Sequence, residues 1–217
     1  GEPVVLERLG KTGQDLHAFE PSAADIRKLS GADILICIGS FAETWLDGAI
    51  RASGNRSLRV LSMTDVCELH EEEELPGLGE HDHHHDHEHG EGTQVEYDEH
   101  VWTSFGNMAR IVTAVRNTLT AALPEQAATL QANAASYLLE LDALRADYQA
   151  TVASAADPVL VIADRYPFAY LMRELGVVCY AAFPGCSSET QASFSTQVML
   201  TETVRDLHLP AVLYVDF

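Results

Sequence analysis

Short apolar runs alternate along the chain with stretches whose apolar positions recur at helical spacing. Val4 to Leu9 is an apolar run closed by Gly10-Lys11-Thr12-Gly13, and it predicts a strand followed by a turn. Ser22, with Asp25 three residues on, predicts a helix capped at its start and running to Leu29. Ala32 to Gly39 is almost continuously apolar, the pattern of a strand covered on both faces in a parallel sheet. Residues 41–52 place Trp45, Leu46 and Ala49 on one helical face, and Leu58 to Met63 returns to a strand pattern. Strand, helix and strand at this spacing predict a βαβ sheet with right-handed crossovers.

From Glu68 to Glu96 the pattern stops. After Trp102 it becomes helical again, first over Phe105 to Leu123, then over a second helix opened by Pro124 and running to about Ser154. In the second helix Leu130, Ala134, Tyr137, Leu138, Leu141, Leu144 and Tyr148 recur at three and four residues, a stripe that reads as ordinary core packing. At about 1.5 Å per residue this helix spans roughly 45 Å, enough to bridge two lobes. Val159 to Ala163 then predicts a buried strand that brings Asp164-Arg165-Tyr166 to its carboxyl end, where open α/β sheets bind ligands. A helix over 168–175, a strand over 177–182, a helix over 195–207 and a strand over 211–215 complete the pattern.

Composition changes the picture at one place. Hydrophobic residues make up 47% of the 217, enough for a packed core, and no run of about 18 apolar residues spans a membrane. Lys+Arg 13 against Asp+Glu 33 gives a formal net charge of -20, which argues against nucleic acid and anionic membranes and suits a cationic ligand. Much of that charge is local. Residues 68–99 hold Glu71-Glu72-Glu73-Glu74 and the tract Glu80-His81-Asp82-His83-His84-His85-Asp86-His87-Glu88-His89-Gly90. Such a tract lacks the apolar residues that offset chain entropy; it reads as a solvated loop with weak, multi-site affinity for a borderline divalent cation, or as an acidic loop with no role. The four cysteines, Cys37, Cys67, Cys179 and Cys186, have neither zinc-ribbon nor redox spacing. Cys37 reads as a small core residue, and Cys179 with Cys186 as either a bridge or two thiols.

Two histidines stand beside acids on short polar segments next to apolar elements: His17 in Asp15-Leu16-His17, and His100 in Asp98-Glu99-His100-Val101-Trp102. Histidine is the commonest protein ligand for zinc, and a neighbouring carboxylate fixes its tautomer and raises its basicity. The alternative for each is a cap or surface residue. If both ligate, binding weakens as pH falls through about 6 to 7, because protonated imidazoles cannot ligate; an affinity unchanged between about pH 7.5 and 5 contradicts that ligation.

The run Asp-Leu-His-Ala-Phe-Glu-Pro-Ser with Ala-Asp-Ile (15–26), Gly39 with Glu43 and Trp45, the His/Asp-rich loop, Asp-Glu-His-Val-Trp, and a long helix with Asn133 and Tyr137 occur here in order. Together they resemble the metal-binding solute-binding proteins of ABC importers, and more narrowly the zinc-uptake branch. The resemblance covers nearly the whole chain. It implies an α/β fold of two parallel-sheet lobes joined by one long helix: a metal-binding lobe over 1–123, a linking helix over 124–155 and a partial second lobe over 156–217, truncated at both ends. It implies metal held in the cleft by His17 and His100, with further ligands from the second lobe. The family's third ligand falls on Arg165, a guanidinium that cannot bind a cation. Adjacent Asp164 is then the candidate carboxylate ligand, steadied by Arg165 through a fork-like ion pair, or else the two residues form a purely structural pair. A further acid ligand of the family falls beyond Phe217.

The resulting expectation is transport and not catalysis: an extracytoplasmic, periplasmic or lipid-anchored, monomeric subunit that captures zinc and hands it to an ABC permease, with no nucleic-acid partner. Zinc is favoured over manganese because imidazole suits zinc and carboxylate oxygen suits manganese. A metal-buffering or adhesin-type surface protein of the same fold is the alternative. A zinc hydrolase with Glu99 as base is disfavoured, since no His-Glu-x-x-His spacing occurs.

Overall fold

A computed structural model of the chain describes residues 4–10, 19–39, 42–72, 97–185 and 191–214. His17, the histidine-rich tract within 73–96, and Cys186 lie outside the described residues. The chain divides into two compact units, one of residues 1–68 with 106–141 and the other of residues 69–105 with 142–217.

In the first unit, helix α1 (Ala23–Gly31) starts where the sequence predicts: the Ser22 side chain accepts from Asp25 N–H while the Asp25 carboxylate accepts from Ser22 N–H, a complete capping box. Satisfying the otherwise unbonded first-turn amides in this way contributes about 1 kcal/mol. Strands β1 (Ile34–Cys37) and β2 (Arg59–Ser62) pair in parallel, Ile34 opposite Arg59 through Cys37 opposite Ser62. Helix α2 (Leu46–Ser53) connects them, starting five residues later than the apolar pattern predicts because residues 42–45 form a turn. Leu29, Leu35, Cys37, Leu46 and Ala49 are the core of this unit. Cys37 is the small buried residue expected; burial, aided by the Glu43 and Asp65 charges, pushes its thiol up to about 12. The strand expected over 4–9 is not formed: Val5 and Leu6 are 78% and 91% exposed, and no neighbouring strand among the described residues offers them a ladder.

In the second unit, β3 (Val159–Tyr166) and β4 (Val178–Pro184) pair in parallel. Alternate residues face opposite sides, as a pleated strand requires. Ile162, Cys179 and Ala181 pack with Ala169 and Met172 of helix α5 (Ala169–Leu175). Val161 and Ala182 pack with Leu200 of helix α6 (Phe194–Asp206). The register breaks between Ile162↔Ala181 and Arg165↔Phe183, so β3 carries one residue more than β4 there. The strand therefore continues through Asp164 and Arg165 to Tyr166 instead of ending at Ala163. Of the strand expected over 211–215, the described residues 211–214 form one parallel bridge, between Leu213 and Ile162.

Helix α3 (Phe105–Ala122) follows a short 3-10 turn, and helix α4 (Ala127–Ala153) follows a second 3-10 turn opened by Pro124. The 27 residues of α4 are divided between the units at Leu141 and Asp142. Ala134 is the buried residue of that helix, and Tyr137, Leu144 and Tyr148 of the expected stripe are exposed. The expected packed stripe is thus realised only in part, with Leu130, Leu138 and Leu141 half-buried beside Ala134. Within the second unit its end is tied by Arg145 to Glu174 at 2.9 Å and by an edge contact of Tyr148 on Phe105.

Candidate metal-binding site

His100 precedes the 3-10 turn Val101–Thr103, in the second unit. Val101 is fully buried and anchors the turn, and the His100 carbonyl accepts from the Thr103 amide at 3.0 Å and from its hydroxyl at 2.9 Å. The backbone is therefore fixed directly after the imidazole. Asp98 fixes it before: its Oδ1 accepts from His100 N–H at 2.7 Å and lies 2.8 Å from His100 Nδ1. Both side chains are buried.

An ionised carboxylate can only accept hydrogen bonds, so a neutral ring in this contact carries its proton on Nδ1 and its lone pair on Nε2. That is the tautomer in which a carboxylate-backed histidine ligates a metal through Nε2. The residues fit a zinc ligand in this respect. Trp102 stacks obliquely 5.3 Å from the ring. Gly185, just past the end of β4, lies against the ring: a Cβ there would stand 3.0 Å from His100 Cε1 and 2.9 Å from the Tyr166 carbonyl. The imidazole therefore lies against the carboxyl ends of β3 and β4, the edge where α/β sheets bind ligands.

Asp164, the second candidate, is half-buried in β3 just after the register break, and its Oδ1 accepts from Arg165 N–H at 2.7 Å. The described bond is to the Arg165 backbone, where the sequence suggested a guanidinium fork. Asp164 and His100 belong to the same compact unit. Among the described residues no group of three or more His, Cys, Asp or Glu is placed to hold a metal.

Sequence reasoning missed Tyr170 and Gly185. Tyr170 is 3% exposed, and its hydroxyl donates to the Asp98 carbonyl at 2.8 Å. A tyrosine on the inward face of a helix needs a partner for its hydroxyl, and that need was the available signal. Nothing in the sequence says which partner.

Parallel α/β units that share one long helix, one of them carrying a carboxylate-oriented histidine at its strand ends, have the architecture of the metal-binding solute-binding proteins. The chain belongs to the family described as zinc-uptake complex component A, periplasmic, whose profile matches residues 1–216. It is 29% identical over 205 residues to the zinc-binding lipoprotein AdcA of Streptococcus pneumoniae, covering 94% of this chain and 39% of that protein. It is 32% identical over 179 residues to the zinc-binding protein AdcA of Streptococcus pyogenes, covering 79% of this chain and 34% of that protein. Its fold matches the crystal structure of the Zn(II)-bound ZnuA-like domain of Streptococcus pneumoniae AdcA with a TM-score of 0.67 and 25% identity, over 93% of this chain and 67% of that one. The chain thus spans less than two fifths of the length of these curated relatives. The family is one of uptake-complex components. No helix among the described residues is long and apolar enough to cross a membrane.

Proposed function

We propose that this chain is the zinc-capturing, extracytoplasmic subunit of an ABC importer, which binds the ion between its lobes and delivers it to the permease. The observation that carries the proposal is the buried Asp98–His100 pair, which commits Nδ1 to the carboxylate and the lone pair to Nε2. His100 is the first ligand, His17 the second and Asp164 the carboxylate of the set. The zinc-binding AdcA relatives support zinc as the ion, as does the imidazole-rich donor set. The lobe division expected from the sequence, 1–123 and 156–217 with 124–155 as the link, is part of this proposal; the compact units divide the chain differently, grouping residues 69–105 with 142–217. The relatives' periplasmic or lipoprotein character supports a location outside the cytoplasm.

Zinc titration against a chelator that buffers free ion far below the micromolar range tests the site separately from the weak tract at 81–89. His100→Ala is expected to weaken this binding by more than about a hundredfold, beyond the range seen for outer-shell partners. His17→Ala is expected to do the same. Full affinity in both variants removes the cleft site and leaves the histidine-rich tract as the binder, the behaviour of a buffering protein.

A further inference from the structure

Residues 70–71 and 97–98 run antiparallel, with Glu71 bridged to Tyr97. In that register His70 faces Asp98, and a hydrogen-bonded antiparallel pair exchanges two N–H to C=O bonds. One of these is direct: Asp98 N–H donates to the His70 carbonyl at 3.0 Å. The reciprocal groups meet through Tyr170. Its hydroxyl accepts from His70 N–H at 3.1 Å and donates to the Asp98 carbonyl at 2.8 Å. The hydroxyl is thus built into the rung, as a relay between an amide and a carbonyl that would otherwise bond each other. The Tyr170 ring also lies 5.1 Å from the His70 ring, which seats the side chain laterally.

The consequence falls on Asp98. Its carbonyl is held by Tyr170, its amide by His70, and its carboxylate holds His100 by both the amide and Nδ1. We propose that Tyr170 is a positioning residue for metal capture: its hydroxyl, inserted between His70 and Asp98, sets the Asp98 backbone so that the carboxylate orients the His100 imidazole. This rests on the reading of His100 as a zinc ligand. A phenylalanine would fill the same space but would not relay the rung, so the two backbone groups would close on each other or stay unbonded. Either change moves Asp98, and outer-shell displacements of this kind weaken metal binding by about 10- to 100-fold.

The test is a double-mutant cycle on the full chain, with zinc affinity read by chelator competition in wild type, Y170F, D98N and Y170F/D98N, and with H100A alongside. Y170F is expected to weaken binding about tenfold or more, and to add nothing in the D98N background, because the hydroxyl acts through Asp98. An equal loss in both backgrounds, or no loss in either, overturns the proposal. The downfield Nδ1 proton of His100 in the metal-free chain gives a second readout that a merely structural role does not move. It is expected to be sharp in wild type and weakened or lost in Y170F in a protein of unchanged circular dichroism; a sharp signal in both overturns the proposal. An H100A chain of full affinity fails the reading beneath the proposal and takes this one with it. An H100A loss with Y170F unaffected overturns this proposal alone.

Discussion

The two buried carboxylates among the described residues, Asp25 and Asp98, lie one in each compact unit and do opposite work. Asp25 is spent on structure. It accepts from the Ser22 hydroxyl at 2.7 Å, Ser22 N–H at 2.9 Å and Gly10 N–H at 3.2 Å, with Lys28 at 3.7 Å. The Ser22 bonds above all hold its carboxyl down at about 2. Asp98 is spent on another side chain, holding the His100 imidazole at Nδ1. The two acids therefore differ in what they hold: Asp25 holds a helix start, and Asp98 holds a side chain proposed to ligate metal.

Substitutions at the two acids separate these roles. Asp98→Asn keeps the shape but removes the charge behind the imidazole; zinc affinity by chelator competition is expected to fall about 10- to 100-fold, and Asp25→Asn is expected to leave it unchanged. Equal losses from both variants would erase the distinction. Gly185→Ala places a methyl against the Tyr166 carbonyl and His100 Cε1, so backbone must move. Urea unfolding is expected to show a loss of about 1–2 kcal/mol, with a fall in zinc affinity that Gly48→Ala, where a Cβ meets nothing within 4 Å, does not produce. Ser22→Ala removes the cap and is expected to cost about 1 kcal/mol in urea midpoint with zinc affinity intact.

The same helix start sharpens the comparison with pH. The Asp25 carboxyl is lowered from 3.8 to about 2 on folding, so its stabilisation is complete above the unfolded value and is lost as pH falls through the folded one. The advantage of wild type over Ser22→Ala in urea midpoint is expected to hold at about pH 5 and to shrink between about pH 4 and 2, since protonation empties the acceptor that Ser22 serves. A constant advantage across that range would mean that the cap does not act through the carboxylate.

Local patterns were legible wherever the controlling interaction lies within a few residues. The capping box of Ser22 and Asp25, the βαβ order, the long helix after Pro124 and the Asp98-Glu99-His100 segment are all readable because their partners lie two to four positions away or follow a fixed period. The first apolar run, residues 4–9, was misread because a strand exists only if another chain segment offers it a ladder. The α4 stripe was legible only in part for a related reason: periodicity marks a face but does not supply what covers it, so Ala134 is buried while Tyr137 and Leu144 stay exposed. At β3 one extra residue carried Asp164 into the strand, a register decision made jointly with β4.

By itself, then, the sequence determined the α/β class, the helix and strand sequence, the family, and the presence of a histidine flanked by an acid. Only the tertiary structure decided which nitrogen of that histidine faces the carboxylate, that Gly185 leaves room for the ring, and that a tyrosine 72 residues from Asp98 completes its backbone bonding. The reason is physical. Propensity and capping are set by neighbours along the chain, while the orientation of a buried side chain is set by donors and acceptors that only folding brings within hydrogen-bond range.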